Sequence, residues 1–436
     1  MPSPTDSHPP EISRQIPPPT RKEIMAWCGY DFANSSFSTI IVTVVFSVYF
    51  TKIICADAGP GRADFLWGLA GTLSQSVALV LSPFLGAWAD FRASKKRLLA
   101  ISTAICCAGT LGLAVVGHGD ILTAFFLFIV ANIAFSLGEN FNAGFLPELA
   151  KPEETGRISG YGWAFGYVGG LASLFVCLPL LKGGFTVENV PDLRLSILFT
   201  ALFFALCALP ALLILRDRSI PRILPARDIF RASFASVWET TKEIARRPLL
   251  RTFFSAFFLY TCGVTTVISW AAIYAEREIG FTGQNLIMLF LVLQISGSVG
   301  AFAFGFVQDK WGSLLTLRLT LVLWIGVIVA AYYCHSVNGF YLIGNLAGLG
   351  IGSLQSAGRA VVAYLAPPDR RAEYFGFWGL FSKLSAAVGP FVYGTVSAIS
   401  GSQRIALLGT LVFFISGFIL LGAPSLRHIH PRPEKA

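Results

Sequence analysis

Long apolar runs repeat along almost the whole chain, and short stretches with charges, glycine or proline separate them. A run of about 20 apolar residues is long enough for a helix to cross the hydrocarbon core of a bilayer, roughly 30 Å thick. Continuous runs favour helices over a barrel, whose strands would alternate apolar and polar positions over about ten residues. The pattern predicts twelve membrane-spanning helices, called spans 1 to 12, near residues 27–53, 66–89, 98–117, 121–145, 158–181, 195–215, 252–275, 285–307, 314–334, 339–362, 374–398 and 405–423.

Composition indicates a chain that lies mostly in lipid. Of the 436 residues, 54% are hydrophobic and only 13% are charged, which is about half the charged share of soluble domains. The spans leave no stretch long enough for a sizeable water-soluble domain, so the expected fold class is an all-α membrane protein. Residues 1–23 are rich in proline and lack the apolar segment of a cleavable signal, which predicts a disordered tail.

Basic residues are distributed unevenly between the two sets of loops. The two ends of the chain and the loops 2-3, 4-5, 6-7, 8-9 and 10-11 contain 25 Lys and Arg, whereas the opposite loops contain 6. Because Lys and Arg accumulate in cytoplasmic loops, both termini are expected to be cytoplasmic. The net charge of +9 reflects these short loops and gives no compact basic surface for nucleic acid.

The longest loop contains an amphipathic pattern and joins the two halves of the chain. Its apolar residues with helical spacing are Ile229, Phe230, Phe234, Val237 and Trp238. Because basic residues lie between them, the spacing predicts a helix on the surface of the inner leaflet. The predicted domains are a cytoplasmic tail at 1–23, a six-helix bundle at 24–215, the linker at 216–251, a second bundle at 252–423 and a cytoplasmic tail at 424–436.

An internal repeat relates the two predicted bundles. The sequence GAWAD from Gly86 to Asp90 recurs as GFVQD from Gly305 to Asp309, 219 residues later. The segment LAKPEETGRISGY at 149–161 similarly aligns with LAPPDRRAEYFGF, which begins 216 residues later. Two unrelated markers displaced by nearly half the chain indicate a tandem duplication.

Two pseudo-symmetric six-helix halves, each with a GxxxD motif after its second helix, resemble the major facilitator superfamily. The first copy departs from the usual motif at Ala93 and Ser94, where a glycine and an arginine are common. The resemblance implies that Asp90 and Asp309 help to close the cytoplasmic side, by contacting basic groups and a helix N-terminus of the other half. The candidate gate residues are Gly86, Asp90, Lys95, Lys96 and Arg97 in the first copy and Gly305, Asp309 and Lys310 in the second.

A finer resemblance rests on the first span and on two blocks near span 5. The first span begins WCGYDFANSSF, and the later blocks read FNAGFLPELA and GRISGYGWAFGYVGG. Together they are similar to the unknown-major-facilitator family, whose eukaryotic members are autophagy-related vacuolar amino-acid effluxers. The residues that carry this likeness are Trp27, Tyr30, Asp31, Phe32, Ala33, Asn34, Ser35, Phe37, Asn142, Leu146 and Pro147. The short tail and loops look more like bacterial members, which implies a bacterial inner membrane.

Four ionisable residues fall inside predicted spans, Asp31 and Glu139 in the first half and Arg359 and Lys383 in the second. An ionised group deep in a membrane helix costs about 2.5–3.5 kcal/mol on insertion scales, so these groups are expected to face a cavity or each other. Three interpretations remain open. The charges close the cytoplasmic gate as ion pairs between the halves, they bind a zwitterionic substrate, or they pair statically and merely permit insertion. Either acid is also a candidate carrier of a coupling proton.

Uncharged polar residues, aromatic residues and glycines complete the candidate set. The polar candidates at similar depth are Asn34, Ser35, Asn140 and Gln355. Such groups also serve as hydrogen bonds between helices, so both roles stay open. Trp163, Tyr167 and Trp270 fit either a cavity wall or an interface anchor. Close helix packing is predicted for two glycine triplets with four-residue spacing, Gly162, Gly166 and Gly170 in span 5 and Gly344, Gly348 and Gly352 in span 10.

Motifs for enzymatic chemistry are absent from the sequence. It contains no GxxxxGK[ST] loop for ATP hydrolysis and no HExxH, GxSxG or strand-led GxGxxG motif. The eight cysteines fall mostly in apolar runs without CxxC pairs, so no metal site, disulfide framework or cofactor is expected.

The expected function is therefore transport by a permease that alternates between inward and outward openings around a site between the halves. By resemblance, the substrate is a neutral amino acid or a similar small polar metabolite, export is favoured, and the protein is a monomer. The alternative within transport is a proton-coupled drug or sugar carrier. The alternative outside transport is a transporter-like receptor or scaffold that moves no solute.

Overall fold

The computed structural model describes residues 18–58, 60–219, 226–281 and 283–426. Within those ranges, twelve helices are long and apolar enough to cross a membrane, and no strand occurs. In chain order these spans are Arg21–Ile54, Phe65–Arg92, Lys95–Leu113, Ile121–Leu149, Pro152–Leu181, Val190–Ile214, Pro248–Ile279, Met288–Trp311, Ser313–Tyr333, Val337–Leu365, Arg371–Ser397 and Gln403–Leu421. Each overlaps the helix predicted at the same place in the order, so the predicted all-α class is confirmed.

Span 1 begins earlier than predicted because a capping box defines its first turn. The Thr20 hydroxyl accepts a hydrogen bond from the backbone N–H of Glu23 (3.3 Å), and the Glu23 carboxylate accepts one from the backbone N–H of Thr20 (2.9 Å). The Glu23 carboxylate also pairs with Arg218 (2.9 Å), which follows span 6. The predicted disordered tail over 1–23 is therefore wrong for residues 21–23, and residues 1–17 lie outside the described ranges.

Span 1 is not a uniform α-helix. After Ser36 the backbone widens into a π-helix over Phe37–Val44, and a second π segment covers Phe50–Ile54. The first segment reads FSTIIVTV and is rich in β-branched residues, which crowd the preceding turn of an α-helix. The Thr43 hydroxyl donates to the carbonyl of Ser38 five residues earlier (2.9 Å), which suits the wider turn. Segments of this kind frequently occur at functional sites.

The spans form two bundles of six that meet along two equivalent seams. In the first bundle, span 1 packs on spans 5 and 6, and span 4 packs on spans 2 and 3. In the second, span 7 packs on spans 11 and 12, and span 10 packs on spans 8 and 9. Span 2 meets span 11 at one seam, and span 8 meets span 5 at the other. We call the end of the molecule at which span 1 begins the basic face, because the loops rich in Lys and Arg lie there.

Glycines allow close approach at corresponding points of the two seams. A Cβ atom on Gly376 of span 11 would lie 2.6 Å from the carbonyl oxygen of Ser82 in span 2. A Cβ atom on Gly160 of span 5 would overlap the carbonyl oxygen of Ala301 in span 8. Gly160 and Gly376 are 216 residues apart, and Ser82 and Ala301 are 219 apart, which are the two displacements of the sequence repeat. The duplication is therefore preserved as a duplicated interface.

The linker contains the predicted helix, Ala226–Arg246, which packs beside span 2 and the start of span 7. The side that faces the bundles is buried and consists of Ile229, Ser233, Val237, Thr240 and Ile244. Phe234 and Trp238 lie on the other side and are 57% and 58% exposed. The prediction of one apolar face shared by all five residues is therefore wrong, because Ser233 and Thr240 take positions on the buried side. The side chain of Phe230 lies outside the described residues.

Candidate functional site

A cavity of about 320 Å³ lies between the two bundles, on the side of the molecule away from the basic face. This volume falls within the usual range for small-molecule sites. Span 1 contributes residues 35–44 to the wall and span 10 contributes residues 340–355, so the cavity is deeper in the bundle than Asp31 and Arg359 as seen from the basic face. Within the described part of the chain, no lining residue carries a charge.

The cavity wall is mostly apolar and aromatic, with a few polar groups. The wider turns of span 1 present its hydroxyl groups, those of Ser35, Ser38, Thr39 and Thr43. Across the cavity, the Tyr167 hydroxyl donates to the Oε1 atom of Gln355 (2.7 Å), which joins span 5 to span 10. Trp270 and Tyr393 form an aromatic pair with ring centroids 4.9 Å apart. Ser35, Gln355, Trp163, Tyr167 and Trp270 are the sequence candidates that line this cavity.

An ion pair between the bundles lies immediately below the cavity, toward the basic face. One Nη atom of Arg359 in span 10 donates to the Oδ2 atom of Asp31 in span 1 (2.8 Å). The other carboxylate oxygen of Asp31 accepts a hydrogen bond from the Asn142 amide (2.8 Å). Both partners are largely buried, with side-chain exposures of 14% for Asp31 and 3% for Arg359. Both carboxylate oxygens of Asp31 are therefore satisfied.

The Arg359 guanidinium from the second bundle is held in a pocket of the first bundle. Its Nε atom donates to the Ser159 hydroxyl (3.1 Å), and its second Nη atom donates to the Ser159 carbonyl (2.7 Å). The guanidinium carbon lies 4.7 Å from the ring centroid of Trp27 and 5.3 Å from that of Trp163. Cation–π attraction from two indole rings adds to the ion pair where water is excluded. The pocket thus binds Arg359 by charge, hydrogen bonds and aromatic faces together.

Gly162 makes room for this ion pair. A Cβ atom on Gly162 would lie 2.5 Å from an Nη atom of Arg359, 2.6 Å from the Oδ2 atom of Asp31 and 2.8 Å from the ring of Trp27. The next glycines of the triplet face the following turns of span 1, with Gly166 opposite Ser35 and Gly170 opposite Thr39. The triplet therefore lies along the polar side of span 1. In span 10, Gly344, Gly348 and Gly352 face Leu289, Ser296 and Gly297 of span 8 in the same way.

Glu139 and Lys383 face each other between spans 4 and 11 without direct contact. They are near enough for their charges to interact, but among the described residues neither forms a salt bridge within 4.0 Å or a hydrogen bond. The adjacent Asn140 donates to the Ser82 hydroxyl (2.7 Å) and packs against Gly379 of span 11. The four charges predicted to meet are thus divided into one formed ion pair and one separated pair. Asn34 is buried among helices and does not line the cavity.

The two GxxxD motifs occupy equivalent positions at the seams. The Asp90 carboxylate accepts a hydrogen bond from the backbone N–H of Glu373 (2.9 Å), in the first turn of span 11. The Asp309 carboxylate accepts one from the backbone N–H of Arg157 (3.0 Å), in the first turns of span 5. A carboxylate at a helix N-terminus interacts favourably with the unpaired N–H groups and the helix dipole. Each aspartate thereby joins the end of one bundle's helix to the start of the other's.

The glycines of the motifs permit this contact, whereas most of their basic residues act elsewhere. A Cβ atom on Gly86 would overlap the Ala372 carbonyl oxygen, and one on Gly305 would lie 3.1 Å from the Cα of Arg157. Lys95 is buried within its own bundle, where it pairs with Glu148 and lies 3.9 Å from Asp90. The Lys96 ammonium donates to the Leu213 carbonyl (2.9 Å), also in its own bundle. The side chains of Arg97 and Lys310 are exposed.

Replacing Asp90 with asparagine should weaken the seam between spans 2 and 11 while keeping a hydrogen-bond acceptor. The lost interaction between charge and helix N-terminus is worth about 0.3–2 kcal/mol. We expect roughly 2- to 30-fold faster hydrogen exchange of the Glu373 backbone amide, measured by mass spectrometry on the purified chain. Asp120→Asn is the matched control, since Asp120 also accepts a backbone N–H, from Gly117 (2.9 Å), but at the opposite face. Unchanged exchange at Glu373 would contradict a role for the Asp90 charge.

Several lining and pocket residues were not predicted from the sequence. Ser38, Thr39 and Thr43 line the cavity, and Ser159 holds Arg359. A signal existed for part of this set, because Asp31, Ser35, Thr39 and Thr43 are spaced by four residues and so share one side of span 1. No comparable signal marks Ser159, whose role depends on a residue 200 positions away in the chain.

Comparison with known proteins gives consistent matches. The profile of the family described as "Vacuole effluxer Atg22 like" matches residues 69–428. The chain is 25% identical over 407 residues to the uncharacterized MFS-type transporter YxiO of Bacillus subtilis (strain 168), covering 92% of this chain and 94% of that protein. It is 24% identical over 311 residues to autophagy-related protein 22 of Kluyveromyces lactis, covering 66% of this chain and 62% of that protein. The crystal structure of the human organic anion transporter MFSD10 shares the fold, with a TM-score of 0.71 at 16% identity, covering 93% of this chain and 100% of that one.

Proposed function

The chain belongs to the Atg22-like family of major facilitator transporters, and from this premise we propose that it exports a small solute without net charge, such as a neutral amino acid. Family membership confirms the fold predicted from the duplicated halves and their GxxxD motifs. It also places the chain among membrane transporters and not among enzymes. The substrate, the direction and the residues that act are the content of the proposal.

The observation that carries the proposal is the Asp31–Arg359 ion pair beneath a cavity between the halves. Together with the Asp90 and Asp309 contacts, it joins the two bundles at the basic face. Alternating access requires the same site to open to each side in turn. Opening the basic face must therefore withdraw Arg359 from its pocket, which leaves two buried charges without partners. We infer that the ion pair is the inner gate and that solute in the cavity above it offsets this cost.

The wall of the cavity supports a solute with no net charge and a sizeable apolar part. A fully charged solute would find no lining side chain of opposite charge within the described residues. Trp270, Tyr393 and the aliphatic wall suit an aliphatic or aromatic side chain, whereas Gln355 and the hydroxyls of span 1 suit polar head groups. The family description names an effluxer, which supports export.

Transport by the purified chain in proteoliposomes tests the proposal. Labelled neutral amino acids with aliphatic or aromatic side chains should exchange across the membrane, whereas lysine and glutamate should not compete. Trp270→Ala should raise the KM for the transported solute by about 10- to 100-fold, because about 1.5–3 kcal/mol of apolar contact is lost. Trp311→Ala is the control, since Trp311 is exposed at the end of span 8. Binding without flux would favour a receptor, and flux of sugars or drugs in place of amino acids would overturn the substrate assignment.

We also infer that the basic face is cytoplasmic and that the protein lies in a bacterial plasma membrane. The bias of Lys and Arg supports this orientation, and the match along almost the full length of the Bacillus protein supports the membrane. An impermeant thiol reagent on intact cells tests the orientation. It should label a cysteine introduced at Lys182, on the opposite face, and not one introduced at Lys242, on the basic face. The reverse labelling would contradict the assignment.

A further inference from the structure

The linker helix has a second surface that faces away from the bundles. Arg231, Phe234, Trp238, Lys242 and Arg246 are all exposed on this side of the helix. Their spacing of three or four residues places them next to one another along about four turns. We call this set the outer face of the linker helix. Large exposed aromatic residues beside basic ones on a surface helix are typical of contact with a membrane interface.

The aromatic part of the outer face continues the lipid-facing surface of span 2. Along span 2, Leu73, Val77 and Val80 are exposed at helical spacing, as expected for side chains in contact with lipid tails. At the basic end of this stripe, Phe84 stacks on Phe234 of the linker helix, with ring centroids 5.6 Å apart. Trp238 follows one turn later. The two linker aromatics therefore lie where the apolar stripe meets the basic face, which is the level of the lipid headgroups.

The charges around the aromatic pair are ordered by sign. Arg231, Lys242 and Arg246 follow the aromatic residues around the helix, and the Lys242 ammonium lies 5.2 Å from the ring centroid of Trp238. The exposed acids of the helix, Asp228 and Glu239, lie at least 100° from the nearer aromatic residue, by the roughly 100° rotation per residue of an α-helix. With the aromatic side toward lipid, the basic residues reach the headgroups and the acids point to water.

The buried side of the linker helix holds the first turn of span 11. The Ser236 hydroxyl donates to the Glu373 carboxylate (2.6 Å). One Nη atom of Arg370 donates to the Thr240 hydroxyl (3.0 Å) and to the Glu243 carboxylate (3.0 Å). This is the same helix start that Asp90 of the GxxxD motif contacts through the Glu373 backbone N–H. The linker helix therefore supports one of the two contacts that join the bundles at the basic face.

We propose that the outer face of the linker helix binds the headgroups of anionic phospholipids and thereby holds the helix against the start of span 11. Anionic lipid then stabilises the conformation that is closed at the basic face. The occupant is a lipid, because the aromatic residues need an apolar boundary and the basic residues need anionic groups at its surface. A soluble anion would satisfy only the second requirement. The proposal does not depend on which solute the cavity carries.

Thermal unfolding of the detergent-purified full chain tests the lipid site. Phosphatidylglycerol should raise the unfolding midpoint at lower concentration than phosphatidylcholine, because a ligand of the folded state stabilises it. In the triple variant Arg231→Gln, Lys242→Gln, Arg246→Gln, the phosphatidylglycerol concentration that gives the same shift should rise roughly tenfold or more. The control is Lys52→Gln, Lys182→Gln, Arg277→Gln, which removes three exposed basic side chains from the opposite face. The control should keep the selectivity of the unmodified chain.

Three results of that experiment would overturn the lipid site. They are equal stabilisation by the two lipids, unchanged selectivity in the linker variant, and the same shift from inorganic phosphate alone. The coupling to the gate needs a separate measurement, hydrogen exchange at the Glu373 amide in lipid nanodiscs. Exchange should be slower with phosphatidylglycerol than with phosphatidylcholine alone in the unmodified chain, and the difference should vanish in the linker variant. Equal exchange in both membranes for the unmodified chain would refute the coupling.

Discussion

Replacing Arg359 with alanine is expected to reduce transport by at least about 100-fold, the largest effect of any single substitution at the site. The change leaves the Asp31 carboxylate buried with only the Asn142 amide as a hydrogen-bond partner. Removing one partner of a buried pair costs about 3–5 kcal/mol, because the remaining charge is uncompensated. The cost falls on the conformation closed at the basic face, in which Asp31 is buried. Transport is measured in proteoliposomes, and folding is checked by size-exclusion chromatography and the unfolding midpoint.

A double variant separates the three roles considered for this ion pair. Asp31→Asn combined with Arg359→Gln removes both charges and so avoids an uncompensated buried charge. Static pairing predicts that this variant transports normally. A gate predicts that it folds and binds solute but does not couple binding to closure, whereas direct substrate contact predicts loss of binding. Solute-induced shifts in the unfolding midpoint distinguish the last two outcomes.

A second ion pair in the chain provides a matched control. Arg404 and Glu278 form a contact of the same length (2.8 Å), but within the second bundle and at the opposite face. Neutralising both with Arg404→Gln and Glu278→Gln removes an equal number of charges without touching the junction between the bundles. We expect transport to stay within about threefold of the unmodified chain, since exposed pairs contribute about 0–1 kcal/mol. An equal loss in both double variants would contradict a special role for Asp31 and Arg359.

Alanine at both Gly160 and Gly376 is expected to open the basic face and to reduce transport by about tenfold or more. Each added Cβ meets a backbone carbonyl oxygen of the opposite bundle, Ala301 in one seam and Ser82 in the other. Backbone atoms of packed helices cannot move aside locally, and overpacking of this kind costs about 1–3 kcal/mol per site. Because the clash exists only where the seams are closed, the substitutions shift the population toward the open form.

Distance measurements between spin labels on the two bundles test this shift. Labels at Arg97 and Lys310 use exposed positions at the basic face, one in each bundle. The double-alanine variant should show a longer main distance than the unmodified chain. Gly326→Ala is the control, since a Cβ atom on Gly326 of span 9 meets nothing within 4 Å. An unchanged distance distribution with full transport would show that the seams tolerate the extra carbon and that the glycines are not required for closure.

Much of the fold was predictable because membrane insertion depends on local properties of the chain. Span 10 was predicted at 339–362 and is observed at Val337–Leu365, since its length and hydropathy alone satisfy the bilayer. The start of span 1 was missed because the capping box at Thr20 and Glu23 is polar and lies outside the apolar run. The π segment at Phe37–Val44 was missed because an apolar window looks the same for a π-helix and an α-helix.

The candidate site was predicted as a set of residues but not as an arrangement. The cost of burying charge singled out Asp31, Glu139, Arg359 and Lys383, and all four lie at the junction between the bundles. Cost alone does not determine which of them pair. The GxxxD aspartates were expected to contact a helix start of the other bundle, and the structure places both there. Their basic neighbours were expected to act across the seam as well, yet Lys95 and Lys96 bind their own bundle.

The sequence by itself determined that this protein is a duplicated bundle of twelve membrane helices, because apolar length, loop charge and an internal repeat are written in consecutive residues. Only the tertiary structure decided that Arg359 meets Asp31, 328 positions away, while Lys383 and Glu139 remain apart. The same holds for Gly162, whose missing side chain leaves the space that the ion pair fills. Ion pairs and close contacts depend on distances of a few ångströms between separate helices. Those distances follow from the packing of the whole bundle and not from any segment of it.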